Sequence, residues 1–167
     1  MMSADLYIDA SVSDKRKNGK CSVVILVGDD EEYLWTQSIT FEKFLEMYPS
    51  QTGATNHGLG SSAYETYSLL GLTQILIDKQ LSNMDIVCYT DNLGLFNMCN
   101  NIWKPRIRKI TGRICKSLFV NIEILKQRNI SIDVRWIRSH VNVYGNEKAD
   151  FYTRNSDKLM KPIESFV

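Results

Sequence analysis

The chain has 167 residues and a formal net charge of +1, with 44% hydrophobic and 23% charged residues. This length predicts one domain, spanning residues 1–167, with enough apolar side chains to build a core. No apolar run reaches the ~18 residues of a membrane span, and no secretory signal is visible. The four cysteines form no CxxC pair. These features exclude a membrane protein and favour a cytoplasmic one in a reducing compartment, with a nuclear or viral setting left open.

Three strands are predicted to open the fold. Apolar and polar side chains alternate over residues 5–12, which predicts a strand that carries Asp9. Further strands are predicted at 21–27 and 33–39. The charged stretch 14–20 contains Asn-Gly, a hairpin signal, and an acidic turn separates the second and third strands. We therefore expect an antiparallel meander.

The rest of the chain is predicted to alternate between helices and strands. Helices are expected at 41–48, 61–79, 93–100 and 107–128, strands at 85–89 and 131–136, and a final helix after the loop that contains Gly145. Asn146 is the expected N-cap of that last helix, and Trp136 is assigned to the core. The short apolar run at 85–89 favours a strand that is buried on both faces. This order of elements predicts an α/β sheet with parallel crossovers.

Four acids lie at element boundaries or on a central strand of this prediction. They are Asp9 on the first strand, Glu65 in the first turn of a helix, Asp91 after the fourth strand, and Asp150 in the first turn of the last helix. Strand ends and helix starts meet at one edge of such a sheet, where sites in α/β folds are found. Carboxylates that converge there repel one another unless divalent cations neutralise them, and oxygen ligands suit Mg²⁺.

Four motifs at these acids resemble, in order, those of the type 1 ribonuclease H family. They are Tyr7–Ser11 (YIDAS), Ser62–Glu65 (SAYE), Tyr89–Asn92 (YTDN) and Trp136–His140 (WIRSH) followed by Gly145–Asp150 (GNEKAD). The resemblance spans nearly the whole chain, and the last motif is the most specific. It implies a five-stranded mixed sheet, with a meander of three antiparallel strands plus two parallel strands, flanked by helices. The implied activity is hydrolysis of the RNA strand of RNA–DNA hybrids.

The resemblance also implies roles for individual residues. Asp9, Glu65, Asp91 and Asp150 would be the metal-binding carboxylates, with Asp9 as the bridging ligand. His140 would match the mobile histidine of the family, which is thought to assist proton transfer or product release. The implied cofactor is a pair of Mg²⁺ ions, for which Mn²⁺ could substitute. Such a pair activates a water and stabilises the leaving oxygen of an in-line displacement.

The chain departs from the family pattern at several positions. Ala10 stands where the family usually has Gly, and Asn92 stands where Ser is more usual. The helix motif lacks the common Asn and Arg before Glu65, and the stretch 41–60 lengthens the interval after the first motif. No catalytic group is lost by these changes, but substrate preference stays open.

Substrate contacts are expected from polar side chains near the acids and from a basic run. Ser11, Ser62 and Asn92 are the candidates for reading a 2′-OH, and Asn146 is a further candidate for substrate binding. The basic run beside Trp103 consists of Lys104, Arg106, Arg108, Lys109, Arg113 and Lys116. It could contact phosphates, or it could be the solvated face of a long helix. The expected partner is an RNA–DNA hybrid, and the chain is taken as a monomer by default.

Other interpretations remain open at this point. Each acid alone could be a helix cap or a surface residue, and His140 could be an ordinary loop histidine. The chain could also be a catalytically silent ribonuclease H-like module that binds nucleic acid. A third alternative is a DNA nuclease of the same superfold, such as a junction resolvase.

Overall fold

The computed structural model describes residues 2–13, 18–27, 31–48, 61–106, 109–138 and 161–162. The strands are β1 (Met2–Ser13), β2 (Asn18–Val27), β3 (Glu31–Thr40), β4 (Met84–Thr90), β5 (Ile130–Trp136) and β6 (Lys161–Pro162). The helices are α1 (Phe41–Met47), α2 (Ser61–Asp78), α3 (Leu93–Cys99) and α4 (Ile110–Gln127). Among the described residues, no helix has the length and apolarity that a bilayer crossing requires.

All six strands belong to one sheet, in the order β5-β4-β1-β2-β3-β6. The pairs β1–β2 and β2–β3 are antiparallel, whereas β4 is parallel to both β1 and β5. The α/β class is therefore confirmed. In the described part of the chain the number of strands is corrected from five to six, because β6 pairs in parallel with Tyr33 and Leu34 of β3. A strand of only two residues has no periodicity that the sequence could reveal.

Two predicted boundaries move once tertiary pairing is considered. Asn18 was predicted to lie in a turn, but it begins β2 and pairs with both Ser13 and Thr40. The predicted helix 107–128 begins instead at Ile110. Lys109 has the extended backbone of an N-cap residue, and its side chain makes no capping hydrogen bond. At Asn18, backbone pairing of β2 with both β1 and β3 thus outweighs the local turn preference of Asn-Gly.

The core lies between one face of the sheet and the helices α2 and α4. It contains Leu6 and Ile8 of β1, Leu72 of α2 and Leu118 of α4 among its fully buried side chains. In β4, buried side chains alternate with exposed or half-buried ones, so the prediction that both faces are buried is wrong for this strand. Since α2 and α4 pack on one face of the sheet, the pleat sets the burial pattern of β4.

Trp136 is 44% exposed, and its assignment to the core is wrong. It is the last residue of β5, which in the described part of the chain lies at one edge of the sheet. Its partner Thr90 is wholly buried, yet among the described strands β5 pairs with β4 alone.

Candidate metal centre

The fold brings three of the four predicted acids together where β4 ends beside the middle of β1. Because β1 and β4 are parallel and Tyr7 lies opposite Tyr89, both strands reach an acid two residues later, at Asp9 and Asp91. The two tyrosine rings stack with their centroids 4.8 Å apart. Glu65 is the fifth residue of α2, past the first turn in which it was expected, and α2 packs across β1. One carboxylate oxygen from each acid lies within 4.8 Å of the others.

Glu65 is the buried member of this acidic cluster. It is 2% exposed, whereas Asp9 and Asp91 are half-buried. Burial, together with the charges of Asp91 and Asp9, raises the pKa of Glu65 to about 9. A hydrogen bond from the Asn92 side chain acts in the opposite direction. Two neighbouring carboxylates and a low-dielectric site thus disfavour the ionised form of Glu65.

The cluster fits a divalent cation on the chemistry of its donors. Among the described residues, Oε2 of Glu65 is a buried side-chain oxygen that has no hydrogen-bond partner. Buried polar atoms are normally satisfied, and one that is not calls for a ligand or a water. A hard cation would bind this oxygen together with those of Asp9 and Asp91, and would offset their repulsion. An all-oxygen donor set suits Mg²⁺ or Mn²⁺.

Asn92 connects the elements that carry the acids. Its Oδ1 accepts a hydrogen bond from the backbone N–H of Leu95 (2.9 Å) and so caps α3, while its Nδ2 donates to Oγ of Ser62 at the start of α2 (2.8 Å). Its backbone N–H donates to Oγ1 of Thr90 (3.0 Å). The capping role was missed, although an Asn immediately before a helix is a recognised N-cap signal. Asn92 therefore fixes the start of α3 against that of α2.

Ser62 and Asn92 were both predicted as substrate contacts, and the structure places them side by side at this edge. The Ser62 oxygen accepts from Asn92, which leaves its hydroxyl hydrogen to donate elsewhere. Ser11 lies in β1 opposite Lys20. The predicted residues Asn146, His140 and Asp150 lie outside the described residues, as does Arg108 of the basic run.

A groove with a volume of about 880 Å³ opens between α3 and the start of α4, and it extends to Ser62, the partner of Asn92. Its lining includes Ser62, Trp103 and three cations of the predicted basic run, Lys104, Arg106 and Lys109. We call it the basic groove. These cations precede α4 or cap it, so they do not form the solvated helix face that was the alternative interpretation. Of the other members of the run, Arg113 is half-buried and Lys116 is exposed on α4.

The basic groove has an apolar surface at Trp103. This side chain is 53% exposed, and its neighbour Ile102 is 60% exposed. The backbone N–H groups of both residues donate to the carbonyl of Asn97, at 3.1 and 2.8 Å respectively. A Cβ on Gly94 would lie 3.6 Å from Cζ3 of Trp103, so the indole lies against the first turn of α3. The exposed ring is thus held in place near the acidic cluster.

Gly112 allows the basic segment to pack closely on α4. A Cβ at this position would overlap the carbonyl oxygen of Arg106 and lie 2.6 Å from its carbonyl carbon. We expect Gly112→Ala to push the segment off α4 and lower the free energy of unfolding by about 1–3 kcal/mol, measured by urea denaturation. Lys116→Ala, at an exposed position of the same helix, is the control and should change it by less than about 0.5 kcal/mol. Equal stability of both variants would contradict the close packing.

The sheet order, the helices on it and the acidic edge together define a ribonuclease H-like fold. The particular similarity is to the crystal structure of RNase H1 from the halophilic archaeon Halobacterium salinarum NRC-1, with a TM-score of 0.55. That match covers 92% of this chain and 98% of the other, at 12% sequence identity. No protein-family model and no curated protein sequence matches the chain.

Proposed function

We propose that this chain is a single-domain, metal-dependent endoribonuclease that hydrolyses the RNA strand of RNA–DNA hybrids. The observation that carries the proposal is the cluster of Asp9, Glu65 and Asp91, in which a buried carboxylate oxygen lacks a partner. A cation bound here would satisfy the buried oxygen of Glu65 and would favour its ionised form, which burial and the neighbouring carboxylates otherwise disfavour. The similarity to a solved RNase H1 supports the fold on which this site is built.

In the proposed mechanism Asp9, Glu65 and Asp91 would hold divalent cations beside the scissile phosphate. Two bound divalent cations would supply an activated water and neutralise the charge that develops on the leaving 3′ oxygen. Asp9 would be the central ligand of the set, because β1 lies between β4 and β2 in the sheet. Asp150 is proposed as the fourth carboxylate and His140 as the proton carrier, both on the resemblance of their motifs.

The basic groove is proposed to bind the substrate beside this centre. Lys104, Arg106 and Lys109 would contact phosphates, which predicts an affinity that falls steeply with salt. Trp103 offers a ring face on which a base or sugar can pack. Ser62, oriented by Asn92, has a hydroxyl hydrogen available for a ribose 2′-OH or a base edge.

Trp103→Ala is expected to raise KM for a hybrid about tenfold and to leave kcat nearly unchanged, because stacking on one aromatic ring contributes about 1–3 kcal/mol. Steady-state cleavage of a short hybrid at fixed salt measures both constants. Trp103→Phe keeps a ring and is the matched control, for which most of the affinity should remain. A fall in kcat with KM unchanged would place Trp103 outside the substrate-binding surface.

The direct test is cleavage of labelled substrates with Mg²⁺, Mn²⁺ or EDTA. We expect metal-dependent cuts in the RNA strand of a hybrid that leave 3′-hydroxyl ends, and little cutting of duplex RNA or branched DNA. If the protein binds the hybrid but does not cleave it in either Mg²⁺ or Mn²⁺, a silent nucleic-acid-binding module would be favoured. Cleavage confined to branched DNA would favour a junction-resolving nuclease, and both results would overturn the proposal.

A further inference from the structure

An exposed tryptophan lies at the same end of β4 as the acidic cluster. Trp136 ends β5 opposite Thr90, and Thr90 directly precedes Asp91 of the cluster. Residues opposite each other in a sheet point to the same face, so Trp136 extends from the face on which Thr90 is buried, yet its side chain is 44% exposed. The backbone N–H of Ile137 donates to the carbonyl of Thr90 (2.9 Å), so the strand is held in place beyond Trp136.

The helix α3 presents one side to the basic groove and a different side to β5. Gly94 and Met98, one turn apart, line the groove. Leu93 and Asn100 are seven positions apart and therefore share another side of the helix. On that side Nδ2 of Asn100 donates to the carbonyl of Val134 in β5 (3.0 Å), and Leu93 is exposed. The tryptophan at the end of β5 therefore lies across α3 from the basic groove.

An exposed cation lies close to this tryptophan in the chain. Arg138 follows Trp136 by two residues and is exposed. Arg135 is exposed as well, but its Nε donates to Oδ2 of Asp133 (2.8 Å). As the direct neighbour of Trp136 on a strand, Arg135 also points to the opposite face of the sheet. Leu93, Trp136 and Arg138 thus offer apolar area and one cation together, and we call them the Trp136 surface.

We propose that the Trp136 surface is a second contact for the RNA–DNA hybrid, across α3 from the basic groove. A ring face of Trp136 would pack on a base or sugar, and Arg138 would contact a phosphate. Nucleic acid fits this surface better than an apolar protein partner, because an exposed ring and a cation stand together beside Asp91, which is proposed to hold a cation at the scissile phosphate. The inference rests on the proposed function and adds a second anchoring point for its substrate.

Fluorescence anisotropy of a labelled hybrid in EDTA measures this contact without cleavage. Trp136→Ala is expected to weaken binding about fivefold or more, because a stacking ring is lost. Trp136→Phe keeps a ring and should retain most of the affinity. Equal affinities of the wild type and Trp136→Ala would overturn the contact.

Arg138→Ala is expected to weaken binding and to lower the slope of log affinity against log salt concentration by about one, as for the loss of one phosphate contact. Arg135→Ala is the matched control, because it removes the same charge from a side chain that is bound to Asp133 and points to the other face. Its salt slope should stay close to that of the wild type. Equal slopes for the two variants would overturn the role of Arg138.

Hydroxyl-radical footprinting of the wild type tests the same contact without any variant. We expect the hybrid to protect both Trp103 and Trp136 from oxidation, measured by mass spectrometry after proteolysis. Protection of Trp103 alone would overturn the contact and leave the proposed function standing. Protection of Trp136 that grows with protein concentration in the absence of hybrid would assign the surface to a second copy of the chain and overturn the contact too. If the wild type binds no hybrid, the proposed function and this contact fail together.

Discussion

Asp9→Asn is expected to abolish metal-dependent cleavage of the RNA–DNA hybrid. The loss of rate should be well above ~100-fold, because removing a residue that only hydrogen-bonds to a metal ligand already costs up to ~100-fold. The change keeps the size of the side chain and removes one of three carboxylate charges that lie within 4.8 Å of one another. A neutral amide is a poor ligand for a hard cation beside Glu65 and Asp91. Single-turnover cleavage with saturating Mg²⁺ measures the loss without interference from product release.

Asp5→Asn is the matched control for this experiment. Asp5 is also half-buried on β1, and it pairs with Val87 four residues before the acidic edge, roughly 13 Å from Asp9. Asp5→Asn removes the same charge from the same strand but far from the cluster, so the cleavage rate of this variant should stay close to that of the wild type. Equal losses in the two variants would indicate an effect on the sheet and would contradict a metal-binding role of Asp9.

Glu65→Gln is expected to stabilise the metal-free protein and to remove cleavage at the same time. The folded wild type must bind a proton at Glu65 near neutral pH, because burial and the charges of Asp91 and Asp9 raise its pKa to about 9, whereas the amide needs none. Urea denaturation in EDTA near neutral pH should show a free energy of unfolding that is higher by about 1–3 kcal/mol. Mg²⁺ should stabilise the wild type by mass action and leave the variant nearly unchanged. Glu123→Gln, at an exposed position of α4, should do neither.

The stabilisation by Glu65→Gln should depend on pH in a defined direction. The pKa of Glu65 is raised from 4.5 to about 9 in the folded protein. Its carboxyl group therefore contributes stability that is fully present below about pH 4.5 and lost as the pH rises towards about 9. The difference between Glu65→Gln and the wild type in EDTA should be small at the acidic end and grow to a few kcal/mol at the alkaline end. A difference that is constant across this range would contradict the raised pKa.

Local patterns predicted most of the described elements, because each has a clear period. The alternation in β1 and the apolar stripe of α2 both reflect packing against one core, so they can be recognised in the sequence. The start of β2 at Asn18 was not predictable from the same signals, since it depends on pairing with Ser13 and Thr40. Likewise β6 is a strand only because the edge of β3 accepts Lys161 and Pro162.

The candidate site was partly predictable for a related reason. Parallel strands and crossover helices bring their ends to one edge, so Asp9, Glu65 and Asp91 could be expected to meet from their places on the elements. The same reasoning for Asp150 concerns a part of the chain outside the described residues, and it stays a prediction. The role of Asn92 as both cap of α3 and partner of Ser62 was not foreseen, because the hydrogen bond between them spans 30 positions of the chain.

The sequence by itself determined the α/β class, the meander and the three acids that carry the proposal, because periodicity and residue chemistry are local properties. Only the tertiary structure decided that Glu65 is buried with an unpartnered oxygen, that Trp136 is exposed at an edge, and that Gly112 admits the backbone of Arg106. Burial, desolvation and the close approach of two backbones depend on which segments, distant in sequence, pack against one another. That information arises only when the sheet order and the packing of α2 and α4 are in place.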